Sequence, residues 1–259
     1  VKLMPAKFVK AFVMGNKNDA ADARAIWMAA QQPGKSVALK TETQQAVLGL
    51  HRMRQQLVKF RTMRINSLRG LLTEYGEVMG KGRAALDKAI PGVLERLVDR
   101  LPTILIDTLR EQWNGLMELD KQIAGIERRL QTWMKEDKAC RAIAAIPGVG
   151  LLTATATVAT MGDAKAFRSG REFAAWIGLV PKQHSTGGKD KLGHITKQGN
   201  RYLRWLLVTG AMAVIRYAQK HGTKRPWLAR VMDRRPTKVA AVALANKIAR
   251  IAWAMMIRD

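Results

Sequence analysis

The chain is 259 residues long, 47% hydrophobic and 25% charged, with 45 Lys and Arg against 20 Asp and Glu, a formal net charge of +25. That length and apolar content can bury the core of one large domain or two modest ones, and the charge demands a polyanionic partner, nucleic acid before an anionic membrane. A single cysteine, Cys140, excludes an internal disulfide framework and fits a reducing cytoplasm.

Residues 1–35 open on Val1 rather than Met, in the apolar run VKLMPAKFVKAFV, as expected of a piece of a longer protein. No signal-peptide pattern is present, and a short strand-like opening is expected before the first helix. GNKNDAADARAIWMAA then predicts a helix, with Asn18 as its N-cap and alanines that favour it. Asp19 and Asp22, three apart, fall on one face of its first turn. They either complement the helix dipole or present paired carboxylates to a hard ion such as Mg²⁺.

From Thr43 to about Tyr75 there is no proline and only two glycines, Gly49 and Gly70. Leu50, Met53, Leu57 and Phe60, then Leu68, Leu72 and Tyr75, recur at helical steps opposite a basic face of Arg52, Arg54, Lys59, Arg61, Arg64 and Arg69. Gly80-Lys81-Gly82 and Ile90-Pro91-Gly92 predict breaks before a second helical stretch. Leu109, Trp113, Leu116, Leu119, Ile123, Ile126, Leu130 and Trp133 give the cleanest period. They predict a helix on the order of 36 Å long, packed as a helical hairpin or as a coiled coil with another copy.

In residues 138–180, IAAIPGVGLLTA fits a helix-hairpin-helix pattern. Gly148 and Gly150 would free backbone N–H groups for sequence-independent phosphate binding, or they make an ordinary tight turn. Next comes PKQHSTGGKDKLGHITKQGNRYLR, where Lys182, Lys189, Lys191, Lys197, Arg201 and Arg204 face one acid, Asp190. The hydroxyl pair Ser185-Thr186 precedes Gly187-Gly188, which let the backbone turn sharply and an anion come close. Such a loop either grips phosphate without chemistry or stabilises charge developing on it. Beyond it, Leu203 to Ala218 predicts a helix, His221 to Lys238 a basic linker around Trp227, and Val239 to Ile257 a closing Ala-rich helix that carries Asn246, Lys247 and Arg250 in its middle. Trp227 would stack on a base or anchor the core.

Other chemistries find no support. Four histidines and one cysteine show no zinc spacing, and no Walker or dinucleotide fingerprint occurs. His184 beside Ser185 suggests a Ser–His pair, but adjacent residues of an extended loop point to opposite sides.

FAAWIGLVPKQHSTGGKDKLGHITKQGNRYLRWLL resembles the C-terminal domain of insertion-sequence transposases of the IS one-ten type, relatives of the Piv DNA invertases. The most specific run is Gly193, Ile195, Thr196, Lys197, Gly199, Asn200, Leu203 and Arg204. The phrase K-N-D-x-x-D-A resembles the last two acids of that family's four-acid, RuvC-like nuclease domain. The resemblance implies a mainly α chain in three parts: 1–35, a remnant of the RuvC-like α/β domain; 36–137, a helical arm; and 138–259, the serine domain. It implies Ser185 as nucleophile, and Asp19 and Asp22 as half of a Mg²⁺ site. It further implies nucleic-acid contacts at Gly148, Gly150, Lys182, Gly187, Gly188, Lys189, Lys197, Asn200, Arg201 and Arg204. DNA, a structured guide RNA and further copies of the chain are the implied partners. The expected function is a DNA transposase acting through a phosphoserine link, with a non-catalytic nucleic-acid binder and a metal-dependent junction nuclease as alternatives.

Overall fold

The structure, a computed structural model, describes residues 3–16, 18–32, 38–189 and 191–258; Val1, Lys17 and Asp190 lie outside them. Among the described residues there are eleven α-helices and two short strands, so the protein is mainly α. They sort into two units, residues 1–46 with 137–259, and residues 47–136.

The unit of residues 47–136 rests on two long helices, α3 (Glu42–Glu74) and α5 (Thr103–Glu136), with α4 (Arg83–Val98) between them in sequence. Arg54 pairs with Glu127 at 2.6 Å and Arg61 with Asp120 at 2.9 Å, so α3 and α5 run antiparallel as a helical hairpin. The α5 seam is buried at Leu109, Leu116, Ile123, Ile126 and Leu130. Leu68 and Leu72 of α3 and Leu86, Ile90 and Leu97 of α4 join Leu109 and Leu116 in one cluster. Burial raises the pKa of Asp120, but hydrogen bonds from Arg61 and Arg83 outweigh it and hold the carboxylate below its ordinary range. His51 of α3 is 1% exposed, and burial followed by the charge of Arg54 lowers its pKa to about 4.

The break expected at Ile90-Pro91-Gly92 does not occur, because Pro91 lies inside α4. The ring stands on the exposed side, while Ile90, Val93, Leu94 and Leu97 bury a continuous face. That burial, at about 2 kcal/mol per large side chain, exceeds the roughly 3 kcal/mol cost of an interior proline.

In the other unit the opening, expected as strand-like, keeps a single β-bridge at Leu3 and then turns helical. Pro5 offers its carbonyl to the N–H groups of Phe8 and Val9, at 2.8 and 3.3 Å, and starts α1 (Ala6–Lys10). Asn18 caps α2 (Asp19–Gln31) as expected, accepting from the Ala21 N–H at 2.7 Å. α6 (Lys138–Ala144) and α7 (Leu151–Met161) flank the Pro147–Gly150 turn, and α8 spans Gly170–Ile177. Cys140 on α6 is fully buried, and burial followed by the charge of Asp137 pushes its thiol pKa up. α9 (Arg201–His221) and α11 (Thr237–Arg258) pack together, α11 presenting Ala240, Ala241, Ala245, Ala249 and Ala252 with Leu244 and Ile248 on its buried side. By length and composition α11 alone among the described helices could cross a membrane, yet here it packs on α8 and α9.

The stretch expected as a basic linker instead contains α10 (Pro226–Arg234). Pro226 occupies the first turn, where a missing N–H costs nothing, and Leu228 is buried.

Candidate functional site

The described residues between Pro181 and Ile195 form an exposed β-hairpin. β1 (Pro181–Gln183) and β2 (Leu192–Ile195) pair antiparallel, with Pro181 opposite Ile195 and Gln183 opposite Leu192. Above them the His184 N–H donates to the Lys191 carbonyl at 2.8 Å. At the tip the Lys189 N–H donates to the Thr186 carbonyl at 3.1 Å. Gly187 and Gly188 take φ of +56° and +76°. Of the two-residue turns matched to the twist of a hairpin, type I′ requires positive φ at both central positions, so glycine here serves the turn. A Cβ at either would meet nothing within 4 Å, so the surface above the tip is open.

Ser185 stands one residue before this turn, exposed, with Lys182 and Lys189 exposed on the same hairpin. The His184 ring folds across to the other strand, where its Cδ2 would lie 3.5 Å from a Cβ on Gly193. The site therefore offers a hydroxyl, two ammonium groups and unobstructed approach.

The hairpin is fastened at its base by residues of the most specific motif. The N–H groups of Thr196 and Lys197 donate to the carbonyls of Val180 and Gly178, at 2.8 and 3.2 Å. Gly199 passes so close to the end of α8 that a Cβ would overlap the Trp176 carbonyl oxygen. Arg204 donates through Nη1 to the carbonyls of Ile177 and Gln198, at 2.7 and 2.9 Å. Burial and then the charge of Arg201 lower its pKa. Asn200 caps α9 by accepting from the Leu203 N–H at 3.0 Å. Of the expected phosphate contacts, Asn200 and Arg204 thus hold the fold, while Arg201 is exposed at the start of α9. Lys197 is the one described non-glycine residue at positive φ, +55°.

The remaining candidates sit on other elements. Gly148, at φ +88°, lies against α9: a Cβ on it would stand 2.8 Å from the Gly210 carbonyl oxygen, and one on Gly210 would overlap the Gly148 carbonyl. Gly150 is the exposed N-cap of α7. Asp19 and Asp22 share the first turn of α2, the first exposed and the second half-buried. No group of three or more His, Cys, Asp or Glu poised for a metal occurs among the described residues.

One feature was not visible in the sequence. A groove of about 1600 Å³ opens along α11, walled by Gly193, His194 and Ile195 of β2, by Ser169 to Arg171 at the start of α8, and by Trp227 of α10. Its floor is apolar, with Val239, Val242, Ala243 and Ile251, and Lys197, Lys238, Lys247 and Arg250 line it too. Lys247 rests its ammonium 4.2 Å from the centre of the Trp227 ring. The signal was the polar trio Asn246, Lys247 and Arg250 inside an otherwise apolar helix.

Residues 140–225 match the family model described as Transposase IS116/IS110/IS902 family, and residues 2–77 match a DEDD transposase model of the IS110 type. The chain is 45% identical over 262 residues to a probable family 20 transposase of Pseudomonas aeruginosa, covering 100% of this chain and 78% of that protein. It is 40% identical over 260 residues to the transposase for insertion sequence element IS1111A of Coxiella burnetii, covering 100% and 71%. It is likewise 40% identical over 255 residues to the transposase for insertion sequence element IS1328 of Yersinia enterocolitica, covering 98% and 75%.

Proposed function

This chain belongs to the IS116/IS110/IS902 family of transposases, and on that footing we propose that it cuts and rejoins DNA through a covalent phosphoserine link at Ser185. The observation that carries the reading is the exposed serine beside an unobstructed glycine turn, flanked by Lys182 and Lys189. The Ser185 Oγ attacks the scissile phosphorus and displaces one deoxyribose oxygen, which takes up a proton as the hydroxyl gives one up. The bond energy is kept in the phosphoserine, so a second deoxyribose hydroxyl can reverse the step on a new strand without ATP. Lys182 and Lys189 stabilise the extra charge on the phosphoryl oxygens. Arg204, Asn200 and Gly199 act at one remove by fixing the base of the hairpin.

Asp19 and Asp22 fit a hard divalent ion as a partial donor set, since Mg²⁺ accepts one or two carboxylates and fills its other positions with water and phosphate. Lewis-acid stabilisation of a phosphoryl oxygen is the chemistry such an ion supplies when bound. The α6–turn–α7 segment acts as a helix-hairpin-helix that holds phosphate at Gly150. The basic helical arm of residues 36–137 takes a structured RNA encoded by the element, and further copies of the chain complete the assembly. The protein works in the cytoplasm on nucleoid DNA.

Trapping on a suicide DNA substrate tests the reading, with the attached residue mapped by mass spectrometry. Ser185→Ala is expected to abolish strand cleavage and leave DNA affinity almost unchanged, and Thr186→Ala to cost less. An adduct at Thr186, or full cleavage by Ser185→Ala, overturns it.

A further inference from the structure

The groove along α11 has no part in the chemistry above, yet its composition is one-sided. Its cations are Arg171, Lys197, Lys238, Lys247 and Arg250, and among the described residues no Asp or Glu lines it. The ligand that fits is therefore anionic. At about 1600 Å³ it exceeds the roughly 300–1,000 Å³ of a small-molecule pocket and suits a length of polymer.

The floor decides which polymer. Val239 is 50% exposed and Ile251 39% exposed, and Val242, Ala243 and Ala254 continue the apolar strip between Trp227 and Trp253. A duplex turns its phosphates outward and keeps its bases inside, so it would satisfy the cations and leave this strip bare. An unpaired strand presents phosphates and flat apolar base faces together, which is the combination that basic grooves with aromatic walls accept. The walls are held ready for it. The Trp253 indole N–H donates to the Ala164 carbonyl at 3.0 Å, and Lys247 covers one face of Trp227. Lys197 stands in the wall in a left-handed backbone conformation, strain of the kind that persists where a site needs a side chain aimed.

We propose that this groove binds single-stranded DNA, the unpaired strand adjoining the cut, with bases on the α11 floor and phosphates on the basic rim. The strand is assigned as DNA because β2, one wall of the groove, belongs to the same hairpin as Ser185; this assignment rests on the strand-cutting reading of that serine. A strand held there would be kept from re-pairing while its new partner is aligned.

The test uses the whole chain and fluorescence anisotropy with three labelled probes: a 12-nucleotide DNA strand, its duplex and the RNA strand of the same sequence. Lys238→Glu combined with Arg250→Glu alters two exposed side chains and is expected to weaken the DNA strand at least about tenfold while changing duplex affinity less than about twofold. Trp227→Ala should do the same and Trp227→Phe should restore most of the loss, which a purely ionic rim would not do. Unchanged single-strand affinity in the charge-reversal pair overturns the proposal, as does equal loss on the duplex. So does a larger loss for RNA than for DNA, or a shift in sedimentation that makes the groove an interface between copies. Adduct formation at Ser185, scored separately on the unaltered protein, tells failure of the cutting reading from failure of the groove.

Discussion

Arg204 ties the base of the serine hairpin to the end of α8. Its Nη1 satisfies two carbonyls, at the end of α8 and in the loop before α9, and hydrogen bonds to a charged group contribute about 1.5–3 kcal/mol each. Arg204→Ala is expected to lower the melting temperature and cleavage together, whereas Arg201→Ala lowers DNA affinity at an unchanged melting temperature; calorimetry beside a binding titration separates them. From the sequence both arginines look like phosphate ligands, because residue type reports charge but not which carbonyls lie within reach. His51 carries a different consequence. Its folded pKa of about 4 lies below the ordinary 6.5, so the unfolded chain binds a proton between those values that the native one refuses. The stabilisation is complete above pH 6.5 and is lost as pH falls towards 4, by up to about 3 kcal/mol. Melting curves from pH 7 to 4.5 should show this fall, and His51→Gln should flatten it.

At the level of elements, the best-read pieces are those whose cause lies in their own residues. The period of α5 is complete within α5, and Asn18 caps the helix it begins. What sequence could not show is what comes from elsewhere. In the sequence Gly148 suggests a free amide, but its neighbour is Gly210, on a helix that begins more than fifty residues later, and only the packed structure shows why neither has a side chain. Gly210→Ala should cost about 3 kcal/mol through overpacking, since its Cβ would overlap backbone that cannot rotate away. Gly49→Ala, inside α3 with nothing within 4 Å and ordinary φ, should instead stabilise by about 0.5–1 kcal/mol. Opposite signs from the same substitution, read by denaturant titration, check the packing. Pro91 errs the other way: a strong local signal for a break yields to a buried face drawn from both sides of it.

For the whole molecule, a charge of +25 makes binding a matter of counter-ion release. With six or more phosphate contacts, duplex affinity should fall at least about a thousandfold between 50 and 200 mM salt, and a salt-independent affinity would contradict the interface. The serine loop stands out in the sequence because it is one continuous stretch, but its pairing into a hairpin does not; nor does the groove, to which α8, β2, α10 and α11 each contribute a strip. Cys140 adds something of another kind. As the only thiol in the chain, sealed in α6 and held protonated by burial and Asp137, it cannot meet an alkylating reagent until its surroundings part. Its labelling rate is therefore a built-in clock for the breathing of the unit that carries the serine hairpin. Run with and without DNA, that clock reads how far a bound strand quiets the protein, with no fluorophore attached and no residue changed.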